Sequence, residues 1–600
     1  MNERDRPSSK FVGEVIVSDE ALCVRDLYQD DAQPEPLAKS DDHTALGALT
    51  GGIVLVQRSA AGPVVDERLA QPGSALEALY RIAAEHRLNP VFPTAVDAEV
   101  ERILANPQID DPTLTDLTEL PFVTIDGPGT RDLDQALHVA RLADGYLVRY
   151  ALADPSWCVR PTTALFDEAL RRGASYYLPG FAIPMLPRPL SEGVISLNER
   201  VDRRALVFAM EVDRTGRCVE TTLARARVRS RAQLTFDGVQ SFLDDPSSTS
   251  LPDGVGASLE LLREVGRKRI ADAKRRDVVR YRRHETEVTL SGIKGLRFAV
   301  VGGMRSEVER YNEQLSLMCN VQGARFLKRG DRPDDEVQPI YRVHPSPEPR
   351  RYHDLERVIE ALCKHHRLEH RRWHWQRTDG QSLADYLDGL PTDGALGRIA
   401  KAIHRQAVMV NVRSAYSDEP GIHHGVGAEV YARFSAPMRE IVGVFLHKEA
   451  LEKLTGETRP RPATGPDDDE LSGQIVERAN EAKMLQKRLT KAANGLVLDQ
   501  LFEDDLRLPA DARPVRRGTV MGLTRSKAHV LLDDPGVEVK VYNAHQTDDS
   551  RDRIELSRDS VLLRHSDGST LCGLGDEVQL RLRDRDRRGN RWVLSIEPMA

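Results

Sequence analysis

Residues 122–139, FVTIDGPGTRDLDQALHV, place Asp126, Asp132 and Asp134 within nine positions. The apolar run before Asp126 reads as a strand that ends on that aspartate, and the glycine- and proline-rich GPGTR stretch reads as a loop. A second apolar run begins at Ala136, so three carboxylates are expected on a loop at the edge of a sheet. Carboxylates this close repel each other unless a cation lies between them. Hard divalent ions, Mg²⁺ above all, take oxygen ligands and keep open positions for phosphate. The stretch therefore reads as a metal site built to cleave phosphodiester bonds, and the rest of the chain has to hold a nucleic acid there.

A chain of 600 residues is too long for one hydrophobic core, so several domains are expected. The formal net charge of −8 argues against a uniformly basic coat but is compatible with a local basic channel. The six cysteines are scattered without a CxxC pair, as in reduced thiols of a cytosolic protein. The start, MNERDRPSSK, lacks the apolar core of a signal peptide, and no apolar run is long enough to span a bilayer. The expectation is a cytoplasmic protein that does not engage membranes.

The predicted fold class is α+β multidomain. Over residues 1–115, strands FVGEVIV, ALCVRDL and GIVLVQR precede two helices, GSALEALYRIAAEHRL and PTAVDAEVERILAN. This reads as a small α+β, helix-turn-helix-like module that guides RNA. Residues 116–512 read as a central α/β catalytic domain. It begins with strands FVTID, ALHVAR and GYLVRYALADP and continues through the ordered, proline-rich loop SYYLPGFAIPMLPRPLSEGVISL, which carries Tyr176, Tyr177 and Phe181. A hairpin turning at RTGR and several long helices follow. The basic run RRDVVRYRRH, with an aromatic inside it, reads either as a solvated helix face or as a phosphate-backbone contact. In CKHHRLEHRRWHWQR, adjacent histidines on a helix point apart and no four ligands converge, which argues against zinc. Arg439 follows Pro437 where a helix can begin, well placed to grip phosphate through its guanidinium fork. Residues 513–600 read as short strands of an OB-type barrel whose first hairpin is basic through Arg516, Arg517, Arg525 and Lys527, an RNA-binding surface.

Taken together, these residues resemble the ribonuclease II family, hydrolytic 3′→5′ exoribonucleases with an RNB catalytic domain. TID…RDLD at 124–134 matches that family's aspartate signature. YLPGFAIPMLPRPLS at 177–191 is similar to its long loop, and EPGIHHGVGAEVYARFSAPMR at 419–439 to the segment ending in its phosphate-binding arginine. YRVHPSP at 341–347, and Glu313 with Asn320 on one helix, fit as well, and the terminal barrel is similar to the family's S1-type domain.

The resemblance implies processive degradation of single-stranded RNA, 3′ end first, to 5′-nucleoside monophosphates by a monomer. It implies Mg²⁺, with Mn²⁺ as the alternative, on Asp126, Asp132, Asp134 and Gln135. Asp134, Asp132 and Arg439 would be catalytic; Tyr177, Arg439, His423, Glu313, Arg516 and Arg517 would contact RNA. Three departures stand out, one of them Lys491, which falls where the family usually has a glutamate near the terminal nucleotide. Gln135 occupies the place of the signature's fourth aspartate and brings no charge, and the N-terminal region lacks the look of paired cold-shock barrels. A catalytically impaired RNA-binding paralogue is therefore the alternative expectation.

Overall fold

The computed structural model describes residues 10–18, 21–38, 50–279, 285–292, 295–303, 305–328, 337–456, 467–547 and 552–597. They group into two compact units. The first comprises the described residues of Met1–Arg275, Arg305–His344 and Ser414–Thr490; the second, those of Arg276–Met304, Pro345–Arg413 and Lys491–Ala600.

The first unit opens with five antiparallel strands: β1 (Lys10–Ser18), β2 (Ala21–Asp26), β3 (Glu35–Pro36), β4 (Ile53–Ser59) and β5 (Gly62–Ala70). Their order is β3-β2-β1-β4-β5. The Ala38 N–H donates to the Pro63 carbonyl at 2.8 Å, so the two outer edges meet and the sheet curls on itself. Three of these strands are visible in the apolar pattern. The other two are not, because β3 is two residues long and β5 carries Asp66, Glu67 and Arg68.

Helices α1 (Ala75–Glu85) and α2 (Thr94–Ala105) follow. Ser74 caps α1 by accepting the Glu77 N–H at 3.1 Å. The expected helix-turn-helix-like pair is not what forms. Tyr80 of α1 packs with Val12, Ile53 and Ala70 of the small sheet, whereas Val96 and Val100 of α2 enter the large core with Phe122 and Val123. Each helix buries its apolar face in a different core, so the two do not stack on one another as such a module requires.

The central sheet is built from β6 (Thr115–Asp116), β7 (Phe122–Asp126), β8 (Gln135–Leu142), β9 (Gly145–Ala153), β12 (Asp202–Asp213) and β13 (Cys218–Thr235) in the order β12-β9-β8-β7-β13-β6. Between β9 and β12 lie α3 (Ala164–Arg172) and a small hairpin of β10 (Tyr176–Leu178) and β11 (Phe181–Ile183). Strand β13 pairs antiparallel with β12 through its first part and parallel with β7 through its last, so the sheet closes. The β12–β13 hairpin turns at residues 214–217, the RTGR stretch.

Helices α4 (Val255–Arg275), α5 (Glu307–Leu327) and α6 (Ile441–Thr455) bury Leu259, Leu315, Met318 and Phe445 in the same core. Ser306 and Glu309 form a capping box that starts α5. The 39-residue α7 (Asp468–Leu506) contributes residues to both units.

In the second unit, helices Pro349–His365 and Gly394–Val410 share a core with Val561, Leu562 and Leu574. The central sheet lies in the first unit, and residues 345–413 group with the terminal strands in the second. The apolar faces carrying Leu355, Ile359 and Ile403 find their partners there. The terminal sheet runs Glu538–Tyr542, Lys527–Leu532, Val515–Leu523, Glu577–Asp586, Arg591–Glu597, and its two outer strands also touch. Residues 280–284 of the RRDVVRYRRH run lie outside the described residues. Among the described residues no helix is long and apolar enough to cross a membrane.

Candidate active site

Asp126 is the last residue of β7, opposite Thr235 of β13, and Gln135 is the first of β8. The loop between them is held from within. Leu133 is fully buried; its N–H donates to Ser196 Oγ at 3.0 Å and its carbonyl accepts the Leu197 N–H at 3.0 Å. Ser196 Oγ also donates to the Arg131 carbonyl at 2.7 Å. With one apolar residue anchored in the core, the aspartates on either side, Asp132 and Asp134, are fixed at the sheet's end.

Asp134 is completely buried. Its Oδ1 accepts the Met438 N–H at 3.0 Å, and Arg439 Nε donates to its Oδ2. The Asp134 charge drives the Arg439 guanidinium far above its ordinary range. Burial pushes the Asp134 carboxyl up against the pull of Arg439 and the Met438 N–H. Two donors converge on this carboxylate, one of them the guanidinium.

Asp126 differs. Burial, reinforced by Asp134 and Asp132 and opposed by Arg439, pushes it up to about 6. Neither Asp126 nor Asp132 has a hydrogen-bond or ion-pair partner for its carboxylate among the described residues. Two oxygen-donor side chains left open beside a filled ion pair suit a hard divalent cation.

Arg439 is delivered by a rigid loop. Asn320 of α5 is fully buried; its Nδ2 donates to Tyr431 Oη and to Ser435 Oγ, each at 2.9 Å, and its Oδ1 accepts the Ser435 N–H at 2.9 Å. A Cβ on Gly323 would lie 2.4 Å from the Phe434 ring, so the loop rests directly on α5. On its other side the loop pairs with the start of the small hairpin. The Ser175 N–H donates to the Arg439 carbonyl at 2.9 Å, and the Ile441 N–H to the Gly173 carbonyl at 3.0 Å.

This pairing brings Tyr177 beside Arg439. Gln486 of α7 clamps the Tyr177 backbone, accepting its N–H and donating to its carbonyl, both at 3.0 Å. The ring is 47% exposed yet flanked by enough protein that burial, with Asp132 and Asp134 adding to it, pushes the phenol to about 12.

Asp126, Asp132, Asp134, Arg439 and Tyr177 thus share one electrostatic neighbourhood. The other sequence-derived residues do not join them. The Gln135 amide oxygen accepts the hydroxyl of fully buried Tyr150, so the oxygen offered to a metal already has a donor. Glu313 is exposed and pairs with Arg305 at 3.3 Å. His423 lies against His344 and Tyr431, its ring centre 5.2 and 4.8 Å from theirs, and burial holds its pKa down at about 4. Arg516 is not available for RNA: its guanidinium grips Asp505 of α7 through bonds of 2.7–3.1 Å, and its side chain is 18% exposed. Arg517, 67% exposed, stands in solvent with Glu577 at 3.9 Å.

Sequence reading passed over Ser196, Gln486 and the Met438 N–H. A serine in ISLN, a glutamine on a mixed-charge helix and a backbone amide carry no local signal of their role. The adjacent histidines 365 and 366 also behave differently from expectation. Their helix ends at His365, so both rings turn toward Asp576, His365 Nε2 at 2.9 Å and His366 Nε2 at 3.8 Å. They form a three-residue cluster, not a set of four ligands.

The family model of the RNB domain matches residues 114–449. Over 510 residues the chain is 28% identical to "Exoribonuclease 2" of Proteus mirabilis (strain HI4320), a match that spans 82% of this chain and 73% of that protein. In fold it is similar to Mycoplasma genitalium RNase R in complex with ribose methylated single-stranded RNA. The TM-score is 0.75 at 18% identity, over 99% of this chain and 90% of that one. It is also similar to yeast Ssd1, a pseudonuclease, with a TM-score of 0.58 at 13% identity, over 97% of this chain and 68% of that one.

Proposed function

The chain belongs to the RNB-domain exoribonucleases of the ribonuclease II family, and on that footing we propose that it is an active, metal-dependent, processive 3′→5′ exoribonuclease. It degrades single-stranded RNA to 5′-nucleoside monophosphates, as a cytoplasmic monomer. One observation carries the reading: among the described residues, Asp126 and Asp132 have no hydrogen-bond or ion-pair partner for their carboxylates beside the buried Asp134–Arg439 pair.

Asp126 and Asp132 would hold Mg²⁺ or Mn²⁺. Bound there, such an ion supplies Lewis-acid stabilisation of phosphoryl charge and a water acidic enough to attack in line. Asp134 orients Arg439 through Nε and leaves the rest of the guanidinium, 33% exposed, to bind the scissile phosphate and the charge that grows on it. Tyr177, its backbone fixed by Gln486, offers its ring to the terminal base. The terminal sheet acts as an S1-type, OB-fold platform for the incoming strand, with Arg517 rather than Arg516 turned to RNA.

The second reading, an RNA-binding paralogue with impaired chemistry, draws on Gln135, whose amide oxygen is engaged by Tyr150. One assay separates the two. The protein is incubated with end-labelled single-stranded RNA and Mg²⁺ or Mn²⁺, beside Asp134→Asn. Mononucleotides released by the native chain and not by the variant support the enzyme. Binding without cleavage under both metals supports the paralogue.

A further inference from the structure

A cavity of about 430 Å³ opens within the first unit, where the ends of α1 and α3 meet strand β11 and helix α7. Its wall carries Arg87, Arg171, Arg172 and Arg478, with Ile183 and Leu485 as its apolar part. Among the described residues no carboxylate lines it, and Arg439 and Tyr177 lie elsewhere. Four guanidinium groups around one space repel each other unless an anion enters between them.

Acids answer part of this charge from outside the cavity. Glu168 accepts Arg171 Nε and Nη2 at 2.7 and 2.5 Å, and Arg172 Nε at 2.7 Å. Arg172 is then used up, for its Nη1 and Nη2 donate to the Pro184 and Val91 carbonyls at 3.0 and 3.1 Å. The other three keep donors in reserve. Asp30 takes only Nη2 of Arg87, at 2.6 Å, and Glu481 only Nη1 of Arg478, at 2.9 Å. Arg171 Nη1 has no hydrogen-bond partner among the described residues, and Arg478 Nε is buried without one. A ligand can reach this set, since the side chains of Arg87, Arg171 and Arg478 are 79%, 56% and 30% exposed.

Basic residues that follow a helix often serve its last carbonyls. Here the backbone does that itself. The His86, Arg87 and Leu88 N–H groups donate to the Ile82, Ala84 and Ala83 carbonyls at 3.3, 2.8 and 2.9 Å, and the Gly173 N–H to the Ala169 carbonyl at 2.8 Å. The side chains are thus left to the cavity. Guanidinium forks match phosphate oxygens, and the volume falls within the ordinary range of small-molecule sites, about 300–1,000 Å³.

We propose that this cavity binds the phosphate of a small phosphorylated ligand, inorganic phosphate or a free mononucleotide, apart from the place where Arg439 would hold a strand. The proposal goes beyond the exoribonuclease reading and does not depend on it.

The test is isothermal titration calorimetry of the full-length protein in EDTA with inorganic phosphate, adenosine 5′-monophosphate and adenosine. The first two should bind and adenosine should not. A tighter monophosphate identifies a nucleotide as the ligand; equal affinities identify phosphate itself. Arg87→Gln combined with Arg478→Gln should weaken both by about tenfold or more, as expected for lost charge-assisted bonds. Arg439→Gln should bind them as the native chain does. Should the double variant melt well below the native chain, Arg87→Gln alone, at an exposed position, carries the test with a loss of a few-fold. No binding of either phosphate at millimolar concentration overturns the proposal, as does adenosine binding as well as its monophosphate. Native affinity in the arginine variants overturns it too, and so does loss of binding in Arg439→Gln, which puts the anion at the catalytic site. Single-stranded RNA should bind the double variant with native affinity; RNA affinity lost while phosphate affinity is kept marks a strand contact and overturns the proposal. Failure of the native chain to cleave RNA sinks the exoribonuclease reading and not this one.

Discussion

Glu449, Glu452 and Asp468 gather around Lys448, whose ammonium reaches them at 2.8, 3.0 and 3.0 Å. Asp126, Asp132 and Asp134 gather around Arg439, which pairs with Asp134 alone. Both groups belong to the first unit, and each sets three acids against one base. In the first, burial works against the lysine charge, yet the three carboxylates overcome it and hold Lys448 above its ordinary range. Burial pushes Glu449 up to about 7, against the pull of the same lysine. Each carboxylate there reaches the lysine inside the protein, so the group is held together by its own ion pairs. In the second, the arginine pairs with one carboxylate through Nε and, among the described residues, the other two have no partner, an arrangement that suits an arriving cation and phosphate. The number of acids is the same; what separates structure from function is whether the geometry leaves charge unmatched.

Substitutions should divide along that line. Asp134→Asn removes the charge that orients Arg439, and RNA cleavage should fall by about 10³-fold with little loss of RNA binding, read by single-turnover release of mononucleotides. A variant that cleaves at the native rate would erase the distinction between the two groups. Lys448→Met should do the opposite. It leaves Glu449 buried without its base and should lower stability by about 3–5 kcal/mol, measured by urea unfolding, while the folded fraction keeps its activity.

Asp126 gives a subtler contrast through pH. Its folded pKa of about 6 lies above the ordinary carboxylate value, so the folded chain binds this proton more tightly than the unfolded chain. Its contribution to metal-free stability is therefore full below about pH 4 and lost as pH rises through about 6. Melting temperatures from pH 4 to 7 should show this component, and Asp126→Asn should lack it. RNA cleavage should rise over the same interval as the carboxylate becomes free to bind metal. The smallest effect is expected at the terminal barrel. Arg517→Ala should weaken RNA binding a few-fold and reduce the salt slope by about 0.7, with stability unchanged. Arg516→Ala should cost stability through the stranded Asp505, visible as a lower melting temperature.

Much of the site could be read from the chain because its chemistry lies in short motifs. Asp126, Asp132 and Asp134 share one strand–loop–strand unit, and Tyr177 and Arg439 each sit in a distinctive loop. Roles fixed by distant partners could not be read. Arg516 and Arg517 are neighbours of one residue type, and alternation on the strand sends one to Asp505 and the other to solvent. Gln135 offered a metal ligand on paper until Tyr150, fifteen residues away on the adjacent strand, took its oxygen. The two N-terminal helices carry the apolar spacing of a stacked pair, yet their faces found separate cores.

By itself, the sequence determined the chemistry brought to this fold: three aspartates on a loop, an arginine after a proline, a tyrosine on a proline-rich segment and the strands that carry them. These are properties of residue type and local spacing. Only the tertiary structure decided which charges are answered within the protein and which are left open. That depends on what arrives from hundreds of residues away, as when Met438 and Arg439 close on Asp134 while, among the described residues, no hydrogen-bond or ion-pair partner closes on Asp126 or Asp132.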